Sequence, residues 1–145
     1  MDNSLIAYVI GVTYANADGS SRQEIIRNCK KGDELILVRE LSNPYDNNAI
    51  KVCTLKQPGL LSRLLRRKPV LSQLGYLSEY VASKIAPLMD EGVHVQARVN
   101  EIEQTEKVET GQSGTVIESI HECLVEISAE NVKWDKDRNP VPISS

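Results

Sequence analysis

Few side chains in this sequence have the means to do chemistry, and their spacing narrows what they can do. There are two histidines, His94 and His121, and three cysteines, Cys29, Cys53 and Cys123. A structural zinc site needs four ligands, usually in close pairs such as CxxC or HxxxH, and neither pair occurs. His121 and Cys123 alternate with Val125 and Ile127 along one apolar face, which reads as the inside of a strand. His94 has no acid or nucleophile near it in sequence. No GxSxG, Walker loop or pair of catalytic carboxylates is found. Catalysis is not supported, and neither a metal nor a cofactor is expected.

One basic run, Arg63, Arg66, Arg67 and Lys68, alternates with Leu60, Leu61, Leu64 and Leu65. It reads first as a solvated loop and second as a weak contact for phosphate or an acidic partner. At about ten residues it is too short for a stable helix of its own. Phe is absent, so five tyrosines and Trp134 carry all the ring chemistry and the core must be aliphatic. Tyr45 lies in Asn43-Pro44-Tyr45-Asp46, a run of turn formers in which Asp46 can cap backbone amides. Tyr14 and Tyr76 each fit a half-buried structural position as well as a site.

The elements that must position these residues follow from periodicity and caps. Residues 5–14 predict a well-buried first strand. Ser21 and Glu24 form a capping box and Gly32 a terminal cap, so 21–31 predicts a short helix. Residues 34–40 and 49–55 predict a hairpin around the SNPYDNN turn. A strand at VLSQLGYL precedes a helix that starts at Ser78, is kinked or restarted by Pro87, and ends at Gly92. Residues 93–102 alternate as a strand with one wet face, TEKVETGQSG predicts a polar loop, and 115–128 the last strand. The fold class is mainly β with two helices (α+β): an OB-like or SH3-like small barrel of about six mostly antiparallel strands. Residues 1–134 read as one domain and 135–145 as a flexible C-terminal tail.

Composition sets the outer bounds. With 145 residues, 41% hydrophobic and 26% charged, the chain can bury one real core. A formal charge of −3 excludes a whole-surface electrostatic grip on DNA, so any such contact must be local. No apolar run approaches a membrane span, and the first residues lack a basic n-region or cleavage site. The odd, scattered cysteines fit a reducing compartment: cytoplasmic, or nucleoid or nuclear if the chain is DNA-associated.

Four pieces in order, IGVTY, LVRELSNPYDNNAIKV, LGYL and ASKIAPLMDEG, resemble the HIRAN domain family over roughly residues 9–92. The resemblance implies an OB-like barrel that captures the 3′ end of single-stranded DNA, as in eukaryotic DNA-repair helicases. It implies that Tyr14 and Tyr45 hold the terminal bases, that Asp46 receives the 3′-hydroxyl, and that Asn43 makes a polar contact in the same loop. The chemistry is compatible: a tyrosine ring stacks on any base, worth about 1–3 kcal/mol. A carboxylate accepts a hydrogen bond from a free hydroxyl and repels phosphate.

The chain departs from the family at three positions. Thr13 stands where an arginine precedes the first tyrosine, Tyr76 where the family has histidine, and Glu79 where a lysine grips phosphate. Tyr76 can offer another stacking face, and Arg39, Lys51 or the 63–68 run are the cations left to replace the lost ones. The leading expectation is a non-catalytic module for single-stranded DNA ends, working with a DNA-processing helicase or nuclease partner. The alternative is a protein–protein adaptor that keeps the scaffold with little DNA affinity.

Overall fold

In the computed structural model, residues 1–56, 64–66 and 70–143 are described. Arg63, Arg67 and Lys68 of the basic run lie outside them. Strands β1 (Leu5–Ile10), β2 (Glu34–Arg39), β3 (Ile50–Lys56), β4 (Val70–Leu77), β5 (Val95–Gly111) and β6 (Gly114–Ala129) close into a barrel of order β1-β4-β3-β2-β5-β6. Every pairing around the barrel is antiparallel. The expected class, mainly β with two helices on a six-strand barrel, is the observed one.

Alternation builds the wall. In β1, Leu5, Ala7 and Val9 point in while Ile6, Tyr8 and Ile10 point out. The strand is shorter than the predicted 5–14 because Gly11, at φ +70°, turns the chain out of the sheet. Residues 12–14 have strand-forming side chains but lie beyond that turn. Where β1 crosses β4 the backbones touch so closely that a Cβ on Gly75 would stand 2.3 Å from the Ile10 carbonyl oxygen. One extra residue on β4, between the pairs Val52–Gly75 and Cys53–Gln73, bends the sheet there.

Two helices among the described residues cover the barrel. Helix α1 (Arg22–Arg27) is capped by Ser21, whose hydroxyl accepts from the Glu24 amide at 3.2 Å. It stops at Asn28 rather than running to residue 31. Gly32 does not cap it: its amide donates to the Val99 carbonyl at 2.8 Å, which pulls residues 32–33 against β5. Helix α2 (Glu79–Asp90) is capped by Ser78 and buries Val81, Ala82, Ile85 and Ala86. Pro87 does not restart it as a second element; the helix continues to Asp90. Pro87 and Ser83, whose carbonyl loses its donor, are both on the exposed side, where water replaces the missing bond.

The expected polar loop at 105–114 is instead part of a long ribbon. β5 and β6 stay paired out to Gly111 and Gly114, leaving a two-residue turn at Gln112 and Ser113. Thr105, Val108, Thr110, Thr115, Val116 and Ile117 supply strand propensity without any buried face. The chain after Asp135 also folds back. β7 (Val132–Trp134) pairs with β8 (Pro140–Pro142), across a turn in which Asp135 accepts from the amides of Asp137 and Asn139. Trp134 is buried there beside the barrel and exchanges two 2.8 Å backbone bonds with Asp2. Ile26, Ile50, Leu74, Ile85 and Ile127 form the centre of the aliphatic core. No described helix is long and apolar enough to cross a membrane.

Candidate functional site

The loop between β2 and β3 is folded by its own side chains. Asn43 Oδ1 accepts from the amides of Tyr45 and Asp46 at 2.9 and 3.1 Å, and Asp46 Oδ1 accepts from the Asn48 amide at 2.9 Å. The Glu40 amide donates to the Ala49 carbonyl at 2.9 Å and closes the base. Asparagine and aspartate thereby fix the turn, and Tyr45 at its crest is left 93% exposed. Asp46 is half-buried, and its Oδ2 makes no hydrogen bond among the described residues.

Tyr14 sits on the turn beyond β1. Its amide donates to the Gly11 carbonyl at 3.3 Å, and the side chain is 70% exposed. Neither Tyr14 nor Tyr45 is sealed in the core.

Between these two segments runs a row of paired residues across four strands. Ile10 faces Tyr76, Tyr76 faces Lys51, and Lys51 faces Val38. Three strand spacings, about 14 Å, separate the ends of that row. The chain leaves toward Tyr14 just after Ile10 and toward Tyr45 just after Arg39.

Side chains reinforce the row. The Tyr76 hydroxyl donates to Glu40 Oε2 at 2.6 Å, and Lys51 Nζ lies 3.6 Å from the same oxygen. Burial first, and the Glu40 carboxylate second, hold the Tyr76 phenol above the usual range. Over the Tyr76 ring stands the guanidinium of Arg22, 5.5 Å from the centroid, and its Nη1 donates to the Gly11 carbonyl at 2.8 Å. The Tyr14 turn and the root of the Tyr45 loop are thus joined through Arg22, Tyr76 and Glu40.

The other expected cations are engaged. Arg39 donates from Nε and Nη2 to both Asp90 oxygens at 3.0 and 3.1 Å, and from Nη1 to the carbonyls of Asn47 and Ala49. It fastens the Tyr45 loop to the end of α2. Lys51 is paired with Glu40, and Tyr76 is a strut between strands with its hydroxyl already used. Arg66, the described member of the basic run, is exposed at φ +55°. Thr13 and Glu79 are exposed. No group of three or more metal-holding side chains occurs among the described residues.

Sequence reasoning misses Arg22, which reads there as an ordinary helix residue. A signal exists: positions 22, 26 and 29 share one helical face, and the other two carry Ile26 and Cys29. An arginine on that stripe must be buried.

Among known proteins, the chain is similar over 88% of its length to the HIRAN domain of human HLTF, at 21% identity and TM-score 0.48, covering 78% of that chain. It is also similar to a Lactobacillus plantarum protein of known structure, at 22% identity and TM-score 0.49, over 86% of this chain and 98% of that one. No match is found among curated proteins. The family model described as the HIRAN domain matches residues 3–116, from the start of β1 into β6, and this chain belongs to the HIRAN domain family.

Proposed function

We propose that this chain is a non-catalytic module that captures the 3′ end of single-stranded DNA, with Tyr14 and Tyr45 stacking on terminal bases. The observation that carries the reading is the near-complete exposure of Tyr45 on a loop held rigid by Asn43, Asp46 and Arg39. An aromatic ring held out in water gains most of its burial only when a planar partner covers it. Asp46 keeps one carboxylate oxygen for a terminal hydroxyl, and an internal or terminal phosphate at that place is repelled. A helicase or nuclease is the class of protein such a module would serve in DNA repair, at the nucleoid or nucleus or in the cytoplasm.

The test is fluorescence anisotropy with short oligonucleotides ending in a 3′-hydroxyl or a 3′-phosphate. The hydroxyl end is expected to bind more tightly, and Tyr45→Ala to weaken binding by about tenfold or more, the loss of one stacked base. Equal affinity for the two ends removes the role given to Asp46.

A second reading, a protein-binding adaptor on the same scaffold, is favoured by the pairing of Arg39 with Asp90 and Lys51 with Glu40. With those cations neutralised and a formal charge of −3, such a protein has no salt-sensitive DNA binding even at low salt.

A further inference from the structure

Arg22 is the one charged side chain among the described residues that is buried in the fold, at 8% exposure. Burying a guanidinium is costly unless an anion or a full set of hydrogen bonds replaces its water. Arg22 has part of such a set. Nε donates to Asn16 Oδ1 at 2.7 Å, Nη1 to the Gly11 carbonyl at 2.8 Å, and the Tyr76 ring lies beneath. None of these is an anion. The ion pairs among the described residues are Arg39–Asp90, Lys51–Glu40 and Lys107–Glu109, so Arg22 has no carboxylate there. Nη2 makes no hydrogen bond among the described residues.

Its location gives the unused donor a meaning. A Cβ on Gly11 would lie 3.2 Å from Arg22 Nη1 and 3.7 Å from Tyr14 Cδ2. The guanidinium and the exposed phenol ring are therefore neighbours across a stretch of bare backbone. Asn16 is itself fixed, donating to Ser20 Oγ and to the Gln73 carbonyl at 3.0 Å each, so the guanidinium is aimed before any ligand arrives. Thr13, exposed and uncharged, gives the turn no cation of its own.

We infer that Arg22 is the phosphate-gripping residue of this site, its Nη2 donating to the phosphodiester of the nucleotide whose base stacks on Tyr14. The phosphate supplies the counter-charge that the fold omits, and a charge-assisted bond in a partly desolvated place is stronger than one at an open surface. Specificity for nucleic acid rests on the reading under Proposed function; the anion grip rests on the burial of Arg22.

The experiment uses the full chain and short oligonucleotides, each with a single uncharged methylphosphonate linkage near the 3′ end. Wild type is expected to lose about tenfold in affinity when one particular linkage is neutralised, the scale of a hydrogen bond to a charged group. Arg22→Gln is expected to be indifferent to that same linkage, with a salt slope smaller by about one. If both proteins lose equally at every linkage, Arg22 only braces the turn and the inference is wrong. If wild type binds no oligonucleotide at all, the proposed function falls, and Arg22 is judged on wild type with thymidine monophosphate. Its Nε–H resonance should then shift with the nucleotide and not with chloride at equal ionic strength. A resonance that stays in place overturns the inference.

Discussion

The Tyr76 hydroxyl donates a 2.6 Å hydrogen bond to Glu40, linking the end of β4 to the root of the loop that carries Tyr45. Tyr76→Phe keeps the ring beneath Arg22 and removes this link, along with the weaker contact of the hydroxyl to the Gln73 side chain. The bond is to a charged group but partly wet, so about 1 kcal/mol of stability is expected to go. Lys51 remains on Glu40, so the fold survives. Urea unfolding should show the small loss, and amide exchange at residues 43–49 should quicken. An unchanged exchange rate means that the loop is held by its own turn bonds alone.

Barrel closure depends on a missing side chain. Gly75→Ala places a methyl 2.3 Å from the Ile10 carbonyl oxygen and 2.8 Å from Val9 Cγ1. Backbone cannot yield as a flexible side chain does, so β1 and β4 must part, at a cost on the order of 3 kcal/mol. The urea midpoint measures it. A variant as stable as wild type would mean the two strands have room that the structure does not show.

These two sites differ in how well sequence foretells them. VLSQLGYL marks a strand and Ser78 caps the helix after it, so β4 and the start of α2 are readable to the residue. The end of β1 is not, because Val12, Thr13 and Tyr14 favour strand while Gly11 turns the chain. The β5–β6 ribbon is hidden by its polarity: with no inner face, it has no alternation to read. In the candidate site, the NPYD turn announces an ordered loop, but sequence cannot say what Arg39 and Lys51 touch. Asp90 comes from 51 residues away, and only the packed fold brings it to Arg39; Glu40 reaches Lys51 across the β2–β3 hairpin, but its choice of that lysine is not written in the turn.

The ribbon makes a prediction of its own. Residues 104–119 are exposed and belong to no core, so their pairing stabilises little beyond itself. Replacing residues 107–118 with a two-residue Asn-Gly turn joins Glu106 to its partner Ser119. Global stability by urea unfolding is expected to change by less than about 1 kcal/mol. A loss of several times that amount would show that the ribbon is part of the cooperative unit.

Thiol burial sets an alkaline limit. Burial pushes Cys29 up to about 11 and, more strongly, Cys123 up to about 12, from an ordinary 9.0. Above the ordinary value the unfolded chain releases these protons while the folded chain keeps them. The stabilising difference is whole below pH 9 and is lost as pH rises through the folded values. For Cys123, fully buried, the slope is roughly 1.4 kcal/mol per pH unit in that window. Cys123→Ala removes its share, so urea midpoints taken below and above the ordinary thiol pKa should fall less steeply than in wild type. Parallel profiles would mean the thiol is ionised inside the fold.

Asp46 divides its carboxylate between two tasks, and one substitution separates them. Oδ1 accepts the Asn48 amide, whereas Oδ2 is without a hydrogen bond among the described residues. Asp46→Asn keeps a carbonyl oxygen for the Asn48 amide, so the turn and the exposed Tyr45 should persist. It removes the negative charge and turns an acceptor into a donor, which suits a phosphate as well as a hydroxyl. Affinity for a 3′-phosphate end is expected to rise by about tenfold relative to a 3′-hydroxyl end, the scale of one charged contact. Anisotropy with both oligonucleotides measures the ratio. A variant that discriminates as wild type does would place the end-selecting group somewhere other than Asp46.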